Sequence, residues 1–417
     1  MRLLASAPAL FLCALLLQLS PGRAGGAPAP GATNDDNEPI DFQRAQAIHH
    51  KVQAGGAVTP EERAYMQRAV QEMQKRKARQ SGGAPSSTTP VSDPKIVARL
   101  VPLDQLTATY KGEDGGLYGG GQNTPPPLHL AAYLKESGRI QPLDAEGKPA
   151  KDGKIVLLSI GMSNTTMEYS RFKQLAESDP DKSPAVVVVD GAQSGRTGIA
   201  WALGGLSLLP PGESERLSQV LASVNRNLNT GPKDTWTNAE ERLKTSGVTP
   251  QQVQALWIKQ AEANPGKLGE FPAHAQVLAA DIVDILNIAK RYYPNLRVAY
   301  LSSRIFGGYA TTPLNPEPYA YEEAFSMRWV IRDQIKGEPR LNYDPARGKV
   351  TSPLVVWGPY LWANGTQPRK SDGFVWNPED FGPRDHTHPS ASARQKVAEL
   401  LVHFFKTDPG SKRWFLK

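Results

Sequence analysis

From Lys154 onward the chain repeats one alternation, a short run that is apolar at nearly every position followed by a longer stretch with helical spacing of its apolar residues. The runs are "KIVLLSI", "AVVVVD", "VQALWIK", "LRVAYLSS" and "PLVVWG". Continuous apolarity, rather than alternation with polar residues, marks strands covered on both faces. After them, in turn, come "TMEYSRFKQLAES", "SERLSQVLASVNRNL", "FPAHAQVLAADIVDILNIAKRYY", "YEEAFSMRWVIRDQI" and "ASARQKVAELLVHFF", each of which reads as a helix. Strict strand–helix alternation predicts a doubly wound α/β sandwich whose parallel sheet has about five strands, with helices on both faces. In such sheets ligands sit beyond the carboxyl ends of the strands, so residues just after each strand are the ones to search for chemistry.

The segments before this domain are of a different kind. Residues 1–24 begin with a basic residue, continue as an apolar run and end in small residues, the layout of a cleavable secretory signal. The expectation is an exported protein, secreted or periplasmic. No later segment offers the roughly 20 uninterrupted apolar residues of a membrane span. The only cysteine, Cys13, lies inside this signal, leaving the mature chain without a disulfide or a thiol nucleophile. Residues 25–94 read as a flexible leader, a small helix opened by a capping box at Thr59 and Glu62, and a Ser/Gly/Pro-rich linker. The main domain is expected over 95–417. The net charge of +7 falls by two when Arg2 and Arg23 leave with the signal, too weak an excess to imply nucleic acid. Residues 110–127, "YKGEDGGLYGGGQNTPPP", carry too many glycines and prolines for a regular element and form a long loop, a candidate wall of a site with Asn123 as a contact.

Four strand ends carry the chemistry. "SIGMSNTT" places Ser163 between a buried strand and a helix start, where backbone N–H groups favour negative charge. The plain alternative is that Ser163 is a helix cap, while Asn164, Thr165 or Thr166 can cap that helix too. "DGAQSGRTG" offers the N–H of Gly195 to an oxyanion, or is an ordinary strand-to-helix turn. "WIKQ" puts the carboxamide of Gln260 at the same edge. Of the seven histidines, only His386 and His388 fall in a loop between the last strand and the last helix, within "DHTHPS". A turn joins positions i and i+3, so Asp385 can orient His388 as general base, with His386 at the rim and Ser390 as N-cap of the last helix. A metal centre would want three or four ligands, and no such set is evident. The Gly-x-Ser-x-Gly motif of the common α/β-hydrolases is missing from the chain.

"GMSN", "DGAQSGRT" and "DHTHPS", in that order, resemble the first, second and terminal blocks of the SGNH (GDSL-like) hydrolases, over roughly residues 154–406. The resemblance implies a flavodoxin-like three-layer α/β/α sandwich. It also implies a catalytic triad of Ser163, Asp385 and His388, and an oxyanion hole made by the N–H groups of Ser163 and Gly195 with a third donor. Two positions depart from the pattern: Met162 stands where the family has Asp, and "WIKQ" replaces its asparagine block, making Gln260 the candidate third donor. The expected function is a secreted serine esterase working through an acyl-enzyme without a cofactor, on a small-molecule or carbohydrate ester. Tyr309, Tyr319, Trp362 and Trp376, beyond strand ends, either stack on sugar rings or pack the long loops. A catalytically silent carbohydrate-binding module and a metal-dependent hydrolase using Asp385, His386 and His388 remain as alternatives.

Overall fold

The computed structural model describes residues 89–205, 212, 215 and 235–417, together with residues 40, 41, 44, 45, 48, 59–62, 64–66, 68 and 69. The chain divides into two compact units, Met1–Ser86 and Ser87–Lys417. In the first unit the capping box forms as expected: Thr59 N–H donates to Glu62 Oε2 at 2.9 Å and Glu62 N–H to Thr59 Oγ1 at 3.2 Å. Tyr65, Met66 and Ala69 bury themselves with Ala45 and Ile48. The expected secretory signal, nearly all of the leader, most of residues 68–80 in the lysine- and arginine-rich part of the small N-terminal helix, and nearly all of the helix expected at 214–228 lie outside the described residues.

The expected linker ends sooner than its composition suggests. Val91 N–H donates to Ala310 O at 2.8 Å, and the buried Ser92 accepts Glu317 N–H at 3.0 Å, so these residues belong to the second unit.

The second unit is a three-layer α/β/α sandwich. Its elements run α1 (Pro127–Ser137), β1 (Ile155–Gly161), α2 (Ser163–Ser178), β2 (Val186–Val189), α3 (Gly198–Gly204), α4 (Thr235–Thr245) and β3 (Val253–Lys259). There follow α5 (Ala273–Tyr292), β4 (Val298–Leu301), α6 (Tyr319–Lys336), β5 (Leu354–Trp357) and α7 (Ala391–Thr407). All five strands coincide with the apolar runs, and all neighbours pair in parallel, in the order β2-β1-β3-β4-β5. Every residue of β1 and β3 is buried. Burying a large apolar side chain of this kind contributes about 1.5–3 kcal/mol.

Helices α2 and α7 pack together on one face and α3, α5 and α6 on the other. On the first face Trp257 of β3 stacks on Tyr169 of α2 at 5.4 Å, and Tyr300 of β4 meets Phe404 and Phe405 of α7 edge-on. The sheet order reverses direction at β1, between β2 and β3, and a crevice opens at that point beyond the strand ends.

Candidate active site

Gly161 closes β1 against a neighbour that leaves no room for a side chain. A Cβ there would lie 2.3 Å from Thr165 Oγ1 and 2.4 Å from the backbone oxygen of Lys259. The chain turns through Met162 and enters α2 at Ser163, the first helical residue. None of the three expected caps acts as one. Asn164 Nδ2 donates to Thr387 O at 3.0 Å, Thr165 Oγ1 to Lys259 O at 2.7 Å, and Thr166 Oγ1 to Asp190 Oδ2 at 2.5 Å. These bonds instead fasten the start of α2 to the loop before α7, to β3 and to the end of β2.

The loop before α7 supplies the partner. His388 Nε2 stands 2.8 Å from Ser163 Oγ, and His388 Nδ1 stands 2.6 Å from Asp385 Oδ2. The other oxygen of Asp385 accepts the backbone N–H groups of Thr387 and His388, each at 3.0 Å. Partial burial acts to raise the Asp385 pKa. The His388 bond and the two N–H groups outweigh it and hold the carboxyl well below its usual range. His386 takes a left-handed φ of 48°, which lets the turn close, and its N–H donates to Gly382 O at 3.0 Å. Gly382 N–H in turn donates to His388 O at 2.8 Å, and Thr311 N–H to Asp385 O at 3.0 Å, so the loop is braced on both sides. Ser390 holds the N-cap position of α7 without a side-chain capping bond.

Ser163 and Gly195 line one cleft of about 110 Å³, together with Thr197, Ala261, Glu262, Arg304 and Asn315 among others. Gly195 has φ +74° and open space where a Cβ would be, a backbone conformation that glycine alone takes without strain. Gln260, which precedes Ala261 in the chain, is fully buried and outside the cleft lining, and neither its Nε2 nor its Oε1 has a hydrogen-bond partner.

Several expected contacts lie elsewhere. Asn123 is engaged away from the cleft, accepting Leu117 N–H of its own loop at 3.1 Å and donating to Asp104 O at 2.7 Å. The loop over 110–127 clamps onto α6 and the end of β5 through Tyr110 to Glu322, Arg328 to Glu113 and Trp357 to Leu117, and it contributes no residue to the cleft. Trp362 and Trp376 are fully buried, their indole N–H groups donating to Glu317 Oε1 and Leu361 O, so their faces are closed to a sugar ring. Tyr309 is half-buried and donates to Trp376 O at 3.0 Å, packing the same loops against Phe306 and Phe381. Tyr319 packs edge-on against His274.

Polar cleft residues that the sequence reading did not single out include Thr197, Glu262, Arg304 and Asn315. Glu262 and Arg304 follow the ends of β3 and β4 by three residues, the same signal that pointed to Ser163.

Among the described residues no three or more His, Cys, Asp or Glu side chains stand together as metal ligands. Both ring nitrogens of His388 are already engaged. No helix among them is long and apolar enough to cross a membrane. No family model matches the chain, and no curated protein matches it significantly.

Proposed function

We propose that the protein is a serine ester hydrolase of the SGNH type, with Ser163 as nucleophile, His388 as general base and Asp385 as the group that orients the imidazole. The observation that carries this reading is the unbroken chain of hydrogen bonds from Ser163 Oγ through His388 to Asp385. His388 Nε2 takes the serine proton as Oγ attacks the ester carbonyl, and Asp385 stabilises the imidazolium that forms. The oxyanion faces the N–H groups of Ser163 and Gly195, while Gln260, the expected third donor, lies outside the cleft lining and would have to turn towards it to contribute. The protonated imidazole then gives its proton to the departing alcohol, and water, activated by the same base, releases the acid. The engaged imidazole weighs against the metal-dependent alternative, and the polar chain at the cleft against a catalytically silent module.

The small cleft suits a short acyl group better than a long chain. An acetylated carbohydrate remains a candidate substrate, though without Trp362 or Trp376 as stacking platforms. Export rests on the signal read at residues 1–24.

The test is labelling with a fluorophosphonate probe followed by peptide mapping. The wild type should be labelled at Ser163 and hydrolyse 4-nitrophenyl acetate. Ser163→Ala should lose both at a nearly unchanged thermal midpoint, and full residual activity in that variant refutes the mechanism.

A further inference from the structure

Arg304, just past β4, lines the same cleft as Ser163. The residue is only 3% exposed, its Nε donates to Asn315 Oδ1 at 3.1 Å, and its Nη1 is buried without a hydrogen-bond partner. Among the described residues no carboxylate forms a direct pair with the guanidinium.

Glu323, Glu168 and Glu317 act on the guanidinium only through charge, and their hydrogen bonds go elsewhere. Glu168 pairs with Lys259, and Glu323 accepts Glu262 N–H and Asn315 Nδ2. Glu317 accepts Gly307 N–H, Tyr321 N–H and Trp362 Nε1. Burial pushes the Glu323 carboxyl up to about 8 and that of Glu317 up to about 7, which thins the negative charge available to the arginine. Taking a guanidinium out of water is costly unless an anion stands against it, and arginines are almost never fully buried unless paired. Here the unpaired nitrogen belongs to a residue in the wall of the cleft that holds the nucleophile.

We propose that Arg304 anchors the substrate by binding a carboxylate on the ester that Ser163 attacks. This rests on the esterase reading above. The planar fork of the guanidinium matches a carboxylate, and the size of the cleft restricts the carboxylate-bearing group to a compact one. Asn315 is the positioning residue, since its Oδ1 fixes the Nε edge of the fork and leaves the Nη side for the ligand.

Two matched pairs of probes test this, one for each side of the ester. For the alcohol side, 4-acetoxybenzoate is compared with 4-acetoxybenzamide by kcat/KM. For the acid side, succinate is compared with succinamide as an inhibitor of 4-nitrophenyl acetate hydrolysis. The anionic member should be favoured by about 10-fold or more in at least one pair, the scale of a charge-assisted hydrogen bond. Arg304→Gln should abolish that preference in a variant whose circular dichroism and thermal midpoint show it folded. Asn315→Asp, which sets a carboxylate against the guanidinium, should abolish it as well and serves if the first variant does not fold. Equal treatment of both pairs by a labelled wild type overturns the role of Arg304, as does a preference that survives in either folded variant. A wild type neither labelled nor active on 4-nitrophenyl acetate refutes the esterase reading, and this proposal with it.

Discussion

His388 and His386 stand two residues apart yet face different chemistry. The first is held at both ring nitrogens, whereas the second serves the turn through its left-handed backbone. Removing a general base costs roughly 100-fold or more in rate. His388→Ala should therefore be almost inactive. His386→Ala should be only mildly impaired, and His386→Gly, which suits φ 48°, should match the wild type. Equal losses at both positions in ester hydrolysis assays would contradict this division. Gln260 offers a second test at this scale. Its amide is fully buried with both atoms unpartnered, a costly state, and on the proposed mechanism an oxyanion would satisfy the Nε2 donor if the side chain turned into the cleft. Losing one oxyanion donor costs about 3–4 kcal/mol, so Gln260→Ala should lower turnover by about two orders of magnitude at near-constant KM. Asn123→Ala is the control: both polar ends of that side chain are engaged away from the cleft, by Leu117 and Asp104, and its loss should leave turnover unchanged.

The five strands were legible because burial on both faces writes itself as unbroken apolarity, and the long helices because their apolar spacing persists over several turns. The i to i+3 turn of Asp385 and His388 was legible for a similar reason, being local. What local pattern could not supply was direction. Asn164, Thr165 and Thr166 have the composition of helix caps, but their side chains reach across to other elements, a choice made by tertiary neighbours. Trp362 and Trp376 look like ligand platforms in sequence, but the loops fold over them. Helix α1 begins at Pro127, where three prolines in a row mask the periodicity that follows; α3 is only seven residues long and bounded by glycines, and α4 has too few apolar residues to announce it. The junction of β1 and α2 is the element-level feature most exposed to mutation. Gly161→Ala would place a methyl against a backbone oxygen of β3 that cannot withdraw as a side chain could. The expected outcome is a thermal midpoint lowered by several degrees, on the scale of about 1–3 kcal/mol of overpacking, with labelling at Ser163 reduced together with it. A variant with unchanged midpoint and labelling would show that the junction is slack.

At the scale of the molecule, the second unit buries ionisable groups beneath its cleft as well as hydrocarbon. Glu168 and Lys259 form an ion pair with both side chains fully buried, while burial raises Glu317 to about 7 and Glu323 to about 8. A carboxyl raised on folding holds its proton more tightly in the native state than in the unfolded chain, whose glutamates titrate near about 4.3. Its contribution is fully present below that pH and is lost as pH rises through about 7 to 8. The thermal midpoint should therefore fall between pH 5 and pH 8.5, and Glu323→Gln, which keeps the shape without the titration, should flatten that fall. Calorimetry at the two pH values checks it, and an equal slope in wild type and variant would remove Glu323 as the cause.

Ser163 and His388 are 225 positions apart, with four of the five strands and most of the helices encoded between them. Synthesised from its amino end, the chain presents its serine early, as an ordinary alcohol, and receives the imidazole only after every strand of the sheet has been made. On the proposed mechanism the hydroxyl would meet its base only when the loop before α7 docks against the start of α2.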